Sequence, residues 1–215
     1  TADGARHYLI CKGAVEEVIA VCDRAERNGV GMPIERGHED ELRTLTRGLY
    51  DDGFRVIAVA FKELPPGPAT YEAGDEAGLT LLGYIAFLDP PKETAAVALA
   101  SLRDAGVAVK VLTGDNDMVT RHVCRQVGLP TDVVLLGSDI DALSDHELAG
   151  RVDAATVFAR LAPQQKARVI GALRANGHVV GYLGDGINDS PALTTADVGI
   201  SVDTAVDVAK ESADI

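Results

Sequence analysis

The densest chemistry in the sequence lies in Gly184-Asp185-Gly186-Ile187-Asn188-Asp189-Ser190-Pro191-Ala192-Leu193. An apolar run, Val179 to Leu183, leads into it and reads as a buried strand. Two glycines then permit a sharp bend at whatever φ the turn requires. Asp189 or Ser190 suits the N-cap of a following helix, and Pro191 suits its first turn. Two carboxylates and an amide therefore stand at the carboxyl end of a strand, where open α/β sheets hold their ligands. Alone, the pattern also fits a well-capped turn, so its companions decide.

Two further turns share the theme. The strand expected over 107–112 ends in Thr113-Gly114-Asp115-Asn116, a hydroxyl with backbone N–H groups at a helix start, which is an anion-binding arrangement. The segment Arg160-Leu161-Ala162-Pro163-Gln164-Gln165-Lys166 places Pro at a helix start and Lys in its first turn. A cation there opposes the helix dipole by roughly 0.3–1 kcal/mol, a placement that makes sense if Lys166 faces an anion. Each turn also has a plain structural reading, as a helix cap and a solvated lysine. Together, a hydroxyl, an ammonium and two carboxylates at adjacent strand ends are what phosphoryl transfer through an aspartyl phosphate uses. Thr113 and Lys166 would hold phosphoryl oxygens while the carboxylates hold Mg²⁺. Hard oxygen donors suit Mg²⁺, which retains several waters.

The elements that must position these turns follow from periodicity. From Asp89 onward, expected helices (93–105, 116–127, 145–151, 164–175, 190–195 and one from about Thr204) alternate with expected strands (107–112, 132–136, 155–158, 178–183, 197–200). That alternation predicts an α/β domain with a parallel sheet covered on both faces. The first part is different. It reads as a strand over 6–11, a helix from Ala14 to about Ala25 with Val15, Val18, Ile19 and Cys22 on one face, and a loop from Asn28 to Pro33. A helix over 39–50 with Leu42, Leu45 and Leu49 inward precedes strands over 54–61 and 79–87, separated by a Pro/Gly-rich linker over 64–78. Leu88-Asp89-Pro90-Pro91-Lys92 bars both helix and ladder and marks the boundary.

With 25 % charged and 47 % hydrophobic residues, the 215-residue chain has the balance of a soluble globular protein with room for two domains. Its net charge of −13 is spread along its length, which excludes a basic stripe for nucleic acid or an anionic membrane. Cys11, Cys22 and Cys124 lack zinc-site spacing and read as buried small apolar groups in a reducing compartment. No apolar run reaches the ~20 residues that cross a bilayer. The sequence opens without an initiator Met and ends inside apparent structure, so it is expected to be a piece of a longer protein.

Lys12-Gly13-Ala14, Asp89-Pro90-Pro91-Lys92, Thr113-Gly114-Asp115-Asn116 and Gly184–Leu193, in that order and spacing, resemble the P-type cation-transporting ATPases of the haloacid dehalogenase-like superfamily. Phe87-Leu88-Asp89-Pro90-Pro91-Lys92-Glu93-Thr94, Gly137-Ser138-Asp139-Ile140 and Ser201-Val202-Asp203-Thr204-Ala205-Val206-Asp207 are most similar to the bacterial magnesium-transporting subgroup. The resemblance covers essentially the whole chain. It implies part of an α+β nucleotide-binding domain over 1–86, a hinge at 87–92, and over 93–215 a parallel Rossmann-like (haloacid dehalogenase-like) sheet domain without its nucleophile strand. It also implies an ATP-driven pump moving Mg²⁺, with its ion path in transmembrane segments outside these residues and this part on the cytoplasmic face of the plasma membrane.

Residue by residue, the resemblance implies that Lys12, with Gly13, lines an adenine pocket and Arg55 reaches ATP phosphates. Asp89 and Lys92 would lie at the hinge near the nucleotide. Thr113 and Lys166 would hold the phosphoryl group, with Gly114 and Asp115 shaping that side. Asp185 and Asp189 would serve Mg²⁺, with Asn188 completing the site. The family's D-K-T-G-T nucleophile does not occur in these residues, so aspartyl-phosphate hydrolysis is not expected of them alone. Two alternatives stand beside this reading. One is a stand-alone phosphatase using Asp115 within Asp115-Asn116-Asp117-Met118-Val119, although a nucleophile there leaves the Thr113 role empty. The other is a non-catalytic nucleotide-binding module.

Overall fold

A computed structural model describes the backbone of residues 2, 3, 6–34, 36–64 and 72–215, and the side chains of 7–34, 40–64, 72 and 74–215. The chain divides into two compact units, Thr1–Asp89 and Pro90–Ile215. Both are α/β, the first built on a mixed sheet and the second on parallel ladders.

In the first unit, six strands stand in the order β1-β2-β5-β6-β3-β4: β1 (Ala2–Asp3), β2 (Arg6–Gly13), β3 (Cys22–Arg27), β4 (Val30–Pro33), β5 (Phe54–Leu64) and β6 (Leu79–Leu88). All pairs are antiparallel except β3 with β6. Alternation along β5 buries Val56, Ala58 and Ala60 on one face. Helices α1 (Val15–Ala20) and α2 (Arg36–Asp51) pack on β5. Burial of Val15, Val18 and Ile19 anchors α1.

Several sequence expectations change here. The first helix stops at Ala20 rather than near Ala25, because Cys22–Arg27 is drawn into the sheet beside Leu79–Leu81. The supposed loop after it is a hairpin. Asn28 and Gly29 both adopt positive φ (54° and 80°), the two-residue turn whose twist matches flanking strands. On α2, Leu45 is 56 % exposed while Thr46 and Tyr50 are buried, so the inward face is rotated from the one read off the leucines. Thr46 is accommodated there by donating to the Leu42 carbonyl at 2.7 Å. Residues 65–71 of the expected linker lie outside the described residues.

The second unit holds α3 (Ala95–Asp104), β7 (Val111–Leu112), α4 (Asp117–Gln126), β8 (Val134–Leu136), α5 (Gly137–Ala142), α6 (Asp145–Val152), β9 (Val157–Ala159), α7 (Pro163–Ala175), β10 (Gly181–Leu183), α8 (Ser190–Thr195), β11 (Val198–Ile200) and α9 (Asp207–Glu211). Its strands form two parallel ladders, β7-β9-β8 and β10-β11. Central β9 is buried on both faces: Phe158 packs with Ile140, Leu148 and Val169, while Val157 and Ala159 pack with Cys124 of α4. A third cluster, Ile170, Tyr182, Leu193 and Ala209, joins α7 to β10, α8 and α9. The expected strands are present but short, and α5 was not anticipated. Cys124 is buried as expected, whereas Cys11 and Cys22 are only half-buried.

Lys110, just before β7, closes the C-terminal end of α6. Its ammonium donates to the carbonyls of Val152 (2.8 Å), Asp153 (3.0 Å) and Ala155 (2.6 Å). Those carbonyls have no partner within the helix, and a cation also complements that end of its dipole. Burial lowers the Lys110 pKa, with the Asp153 charge opposing that shift. Lys110→Met keeps the stem and removes the three donors. Chemical denaturation is expected to show a loss of about 1–3 kcal/mol, and an unchanged midpoint would remove this role.

Candidate active site

The three strand-end turns singled out in the sequence belong to one unit, and backbone bonds tie two of them together directly. Past the ends of β7 and β9, Leu161 N–H donates to Thr113 O and Arg160 N–H donates to Asp115 O, both at 3.0 Å. Gly114 permits this approach, since a Cβ there would sit 3.3 Å from the Leu161 carbonyl. Thr113 Oγ1 accepts from the Asp115 N–H at 3.0 Å, and Asn116 caps α4 by accepting from Met118 N–H. Arg160 holds φ of 55°, a left-handed conformation that costs a β-carbon residue about 1–3 kcal/mol. Its guanidinium reaches Asp117 at 2.9 Å. The chain then enters α7, where Pro163 occupies the first turn and Lys166 points inward and is buried.

Lys166 meets the third turn. Its ammonium donates to Asp189 Oδ1 at 2.7 Å, and both side chains are about nine-tenths buried. The Tyr182 hydroxyl, from β10, donates to the same oxygen at 2.7 Å. Gly186 N–H donates to Asp189 Oδ2 at 3.1 Å. Burial works against the charged carboxylate. The hydrogen bonds from Lys166, Tyr182 and Gly186 N–H, with the Lys166 charge, outweigh it and hold the Asp189 pKa below the ordinary value. The Tyr182 phenol is pushed up by burial, by its bond to Asp189, and by the Asp189 and Asp185 charges. Gly184 is required by space, because a Cβ there would lie 2.6 Å from Asp189 Cβ.

Asp189 occupies the N-cap position of α8 but makes no side-chain cap there. Its carboxylate is turned to Lys166 instead, which meets the expectation of a direct metal ligand with oxygens already engaged. Asp185 and Asn188 are exposed. The Asp185 carbonyl accepts from Val206 N–H at 3.2 Å, while its carboxylate makes no hydrogen bond or ion pair among the described residues and offers hard oxygen donors of the kind Mg²⁺ takes alongside water and phosphate. No group of three or more metal-ligating side chains forms among the described residues.

In the first unit, Lys12 and Arg55 share a sheet face. Lys12 pairs with Val59, two alternations along β5 from Arg55, roughly 13 Å by strand rise. Between them that face exposes apolar side chains, including Ile85 opposite Ile57 and Phe87 opposite Arg55. Gly13 is not required by space: a Cβ there would meet only Val18 at 3.6 Å. Asp89 and Lys92 are exposed and fall on either side of the division between the two units.

Residues 1–94 match the family described as P-type ATPase, cytoplasmic domain N. Over 209 residues, 97 % of this chain, it is 51 % identical to the "Magnesium-transporting ATPase, P-type 1" of Escherichia coli K12. It is 50 % identical to the protein of that name in Salmonella typhimurium LT2, and 30 % identical over 212 residues to the "Calcium-transporting ATPase 1" of Bacillus cereus. Over nearly its whole length the chain is thus similar to P-type ATPases. It spans 23 % of the length of its magnesium-transporting relatives and 24 % of the calcium-transporting one. No described helix is long and apolar enough to cross a membrane.

Sequence reasoning missed Tyr182, read as one apolar residue in a strand. The available signal was a hydroxyl-bearing side chain on the buried alternation, two residues before Gly184. It also missed Arg160, whose left-handed backbone nothing in the sequence announces.

Because the native Asp189 pKa lies below its ordinary value of 3.8, its stabilising contribution is present above that value and lost as pH falls through the native one. Asp189→Asn is expected to lose about 3–5 kcal/mol at neutral pH by leaving Lys166 buried without a counter-charge. The deficit should shrink on acidification. A deficit constant from pH 7 to below 3.8 in urea melts would contradict the assignment.

Proposed function

We propose that these residues serve an ATP-driven cation pump whose cargo is Mg²⁺. In this reading they supply part of a nucleotide-binding domain and most of a phosphorylation domain on the cytoplasmic face of the membrane. The observation that carries the reading is the buried Lys166–Asp189 pair at adjacent strand ends. A lysine placed against the favoured direction of a helix dipole and held by a carboxylate from another turn is positioned for an external anion. One N–H of the ammonium is spent on Asp189, leaving donors for phosphoryl oxygens. Thr113 presents its hydroxyl at the neighbouring strand end, and Asp185 provides the exposed carboxylate for Mg²⁺. Asp189 acts as the partner of Lys166, and Asn188 and Asp115 line the rim.

ATP supplies the phosphoryl group when bound. Lys12 and Arg55, about a nucleotide's length apart, hold its two ends across the apolar strip. In the haloacid dehalogenase-like arrangement, β7-β9-β8 and β10-β11 are two parts of one sheet, completed by a strand carrying the phosphorylated aspartate between β7 and β10. Leu112 and Val180 support this, since each packs against both clusters that join the ladders. The phosphatase reading on Asp115 gains nothing from the geometry, because Asp117, its second carboxylate, is paired with Arg160.

Calorimetry with ATP on this chain is expected to show binding weakened about tenfold by Lys12→Ala or Arg55→Ala. γ-Labelled ATP should leave no acid-stable, hydroxylamine-sensitive label on it. Identical binding by wild type and Lys12→Ala would discredit the pocket. Such a label would overturn the placement of the nucleophile outside these residues.

A further inference from the structure

We propose that Tyr182 is a positioning residue for the phosphate site: its hydroxyl, acting through Asp189, fixes where the Lys166 ammonium stands. The inference rests on the reading of Lys166 as the phosphate-binding cation and adds the group that aims it.

The three side chains form a closed buried relay from three separate places in the chain, with Tyr182, Asp189 and Lys166 each no more than 9 % exposed. Asp189 Oδ1 receives two donors at the same distance, Lys166 Nζ and Tyr182 Oη, each at 2.7 Å. Oδ2 receives Gly186 N–H at 3.1 Å, which sets the rotation of the carboxylate. Backbone packing closes the remaining freedom. A Cβ on Gly184 would lie 2.9 Å from Asp189 Cγ and 3.0 Å from Tyr182 Cε1, so the ring and the carboxylate both lie directly against the turn.

A lysine ammonium is a point charge on a flexible four-carbon stem, and its direction must come from its partners. With the phenol sharing Oδ1, the carboxylate is anchored from β10 and cannot follow the ammonium. One N–H therefore stays on Asp189 while the others keep a fixed outward direction. Phenylalanine would pack the same ring against Gly184 and leave Oδ1 with Lys166 alone, so the hydroxyl carries the function and the ring carries the packing. The charged and titratable groups facing this relay are Lys166 from α7, Tyr182 from β10, and Asp185 and Asp189 from the turn between β10 and α8.

The test uses the 215-residue chain with inorganic phosphate as probe, comparing wild type, Tyr182→Phe and Lys166→Met. Phosphate affinity is read by calorimetry across pH, and hydrogen exchange of the Lys166 ammonium by NMR of ¹⁵N-lysine-labelled protein. Lys166→Met is expected to abolish most of the phosphate affinity. Tyr182→Phe is expected to weaken it about three- to tenfold, with faster ammonium exchange and a changed pH profile. Fluorotyrosine at position 182, a stronger donor of the same shape, should slow the exchange, and it decides the matter should Tyr182→Phe fold poorly. If Lys166→Met weakens phosphate binding while Tyr182→Phe alters neither affinity nor exchange, the positioning role is overturned. Should Lys166→Met bind phosphate as wild type does, the site reading fails. Exchange then still discriminates: faster in Tyr182→Phe supports the relay, unchanged refutes it.

Discussion

A lysine and an aspartate taken out of water together are tolerated only where geometry and extra hydrogen bonds repay their desolvation. The Lys166–Asp189 pair meets that condition, and much of the second unit is arranged so that it can. Asp189 gains two donors besides the ammonium, from Tyr182 and the Gly186 backbone. Gly184 must lack a side chain for the turn to bring Asp189 that close. α7 must begin immediately after the Arg160–Ala162 bend for Lys166 to face inward from its first turn.

The bend itself has a local cost. Arg160 is held at positive φ, and Gly137 is pressed so closely on it that a Cβ would sit 2.5 Å from the Arg160 carbonyl. Gln165 donates to Gly137 O and accepts from Ala162 N–H, which stitches α5 to the start of α7. The same bend supplies the N–H groups that bind Thr113 O and Asp115 O. One constrained segment therefore fixes both Lys166 and the Thr113 turn beside it. Strain gathered next to such a site is a reason to expect function there.

How much of this the sequence disclosed depends on the range of the cause. Short-range signals were readable: Pro163 at the start of α7, Asn116 before α4, and the apolar strands leading to Thr113 and Gly184. Where the cause lay far along the chain, the reading failed. Cys22 to Arg27 continues a helical pattern on paper, and only pairing with distant Leu79–Leu81 makes it a strand. The Asn28-Gly29 hairpin signal was available and was overridden by that helix assignment. Asp189 reads as a helix cap or a metal ligand because both roles are written locally, whereas its partner Lys166 lies 23 residues away. Tyr182 reads as core because its ring is core, and its hydroxyl matters only once Asp189 is placed beside it.

A direct examination of the central claim is a crystal structure of this chain soaked with tungstate, an electron-dense phosphate mimic. Anion density is expected within hydrogen-bond reach of Lys166 Nζ and Thr113 Oγ1, with the Lys166–Asp189 and Tyr182–Asp189 contacts retained. Density confined to other surfaces while the Lys166 ammonium remains closed upon Asp189 would contradict it.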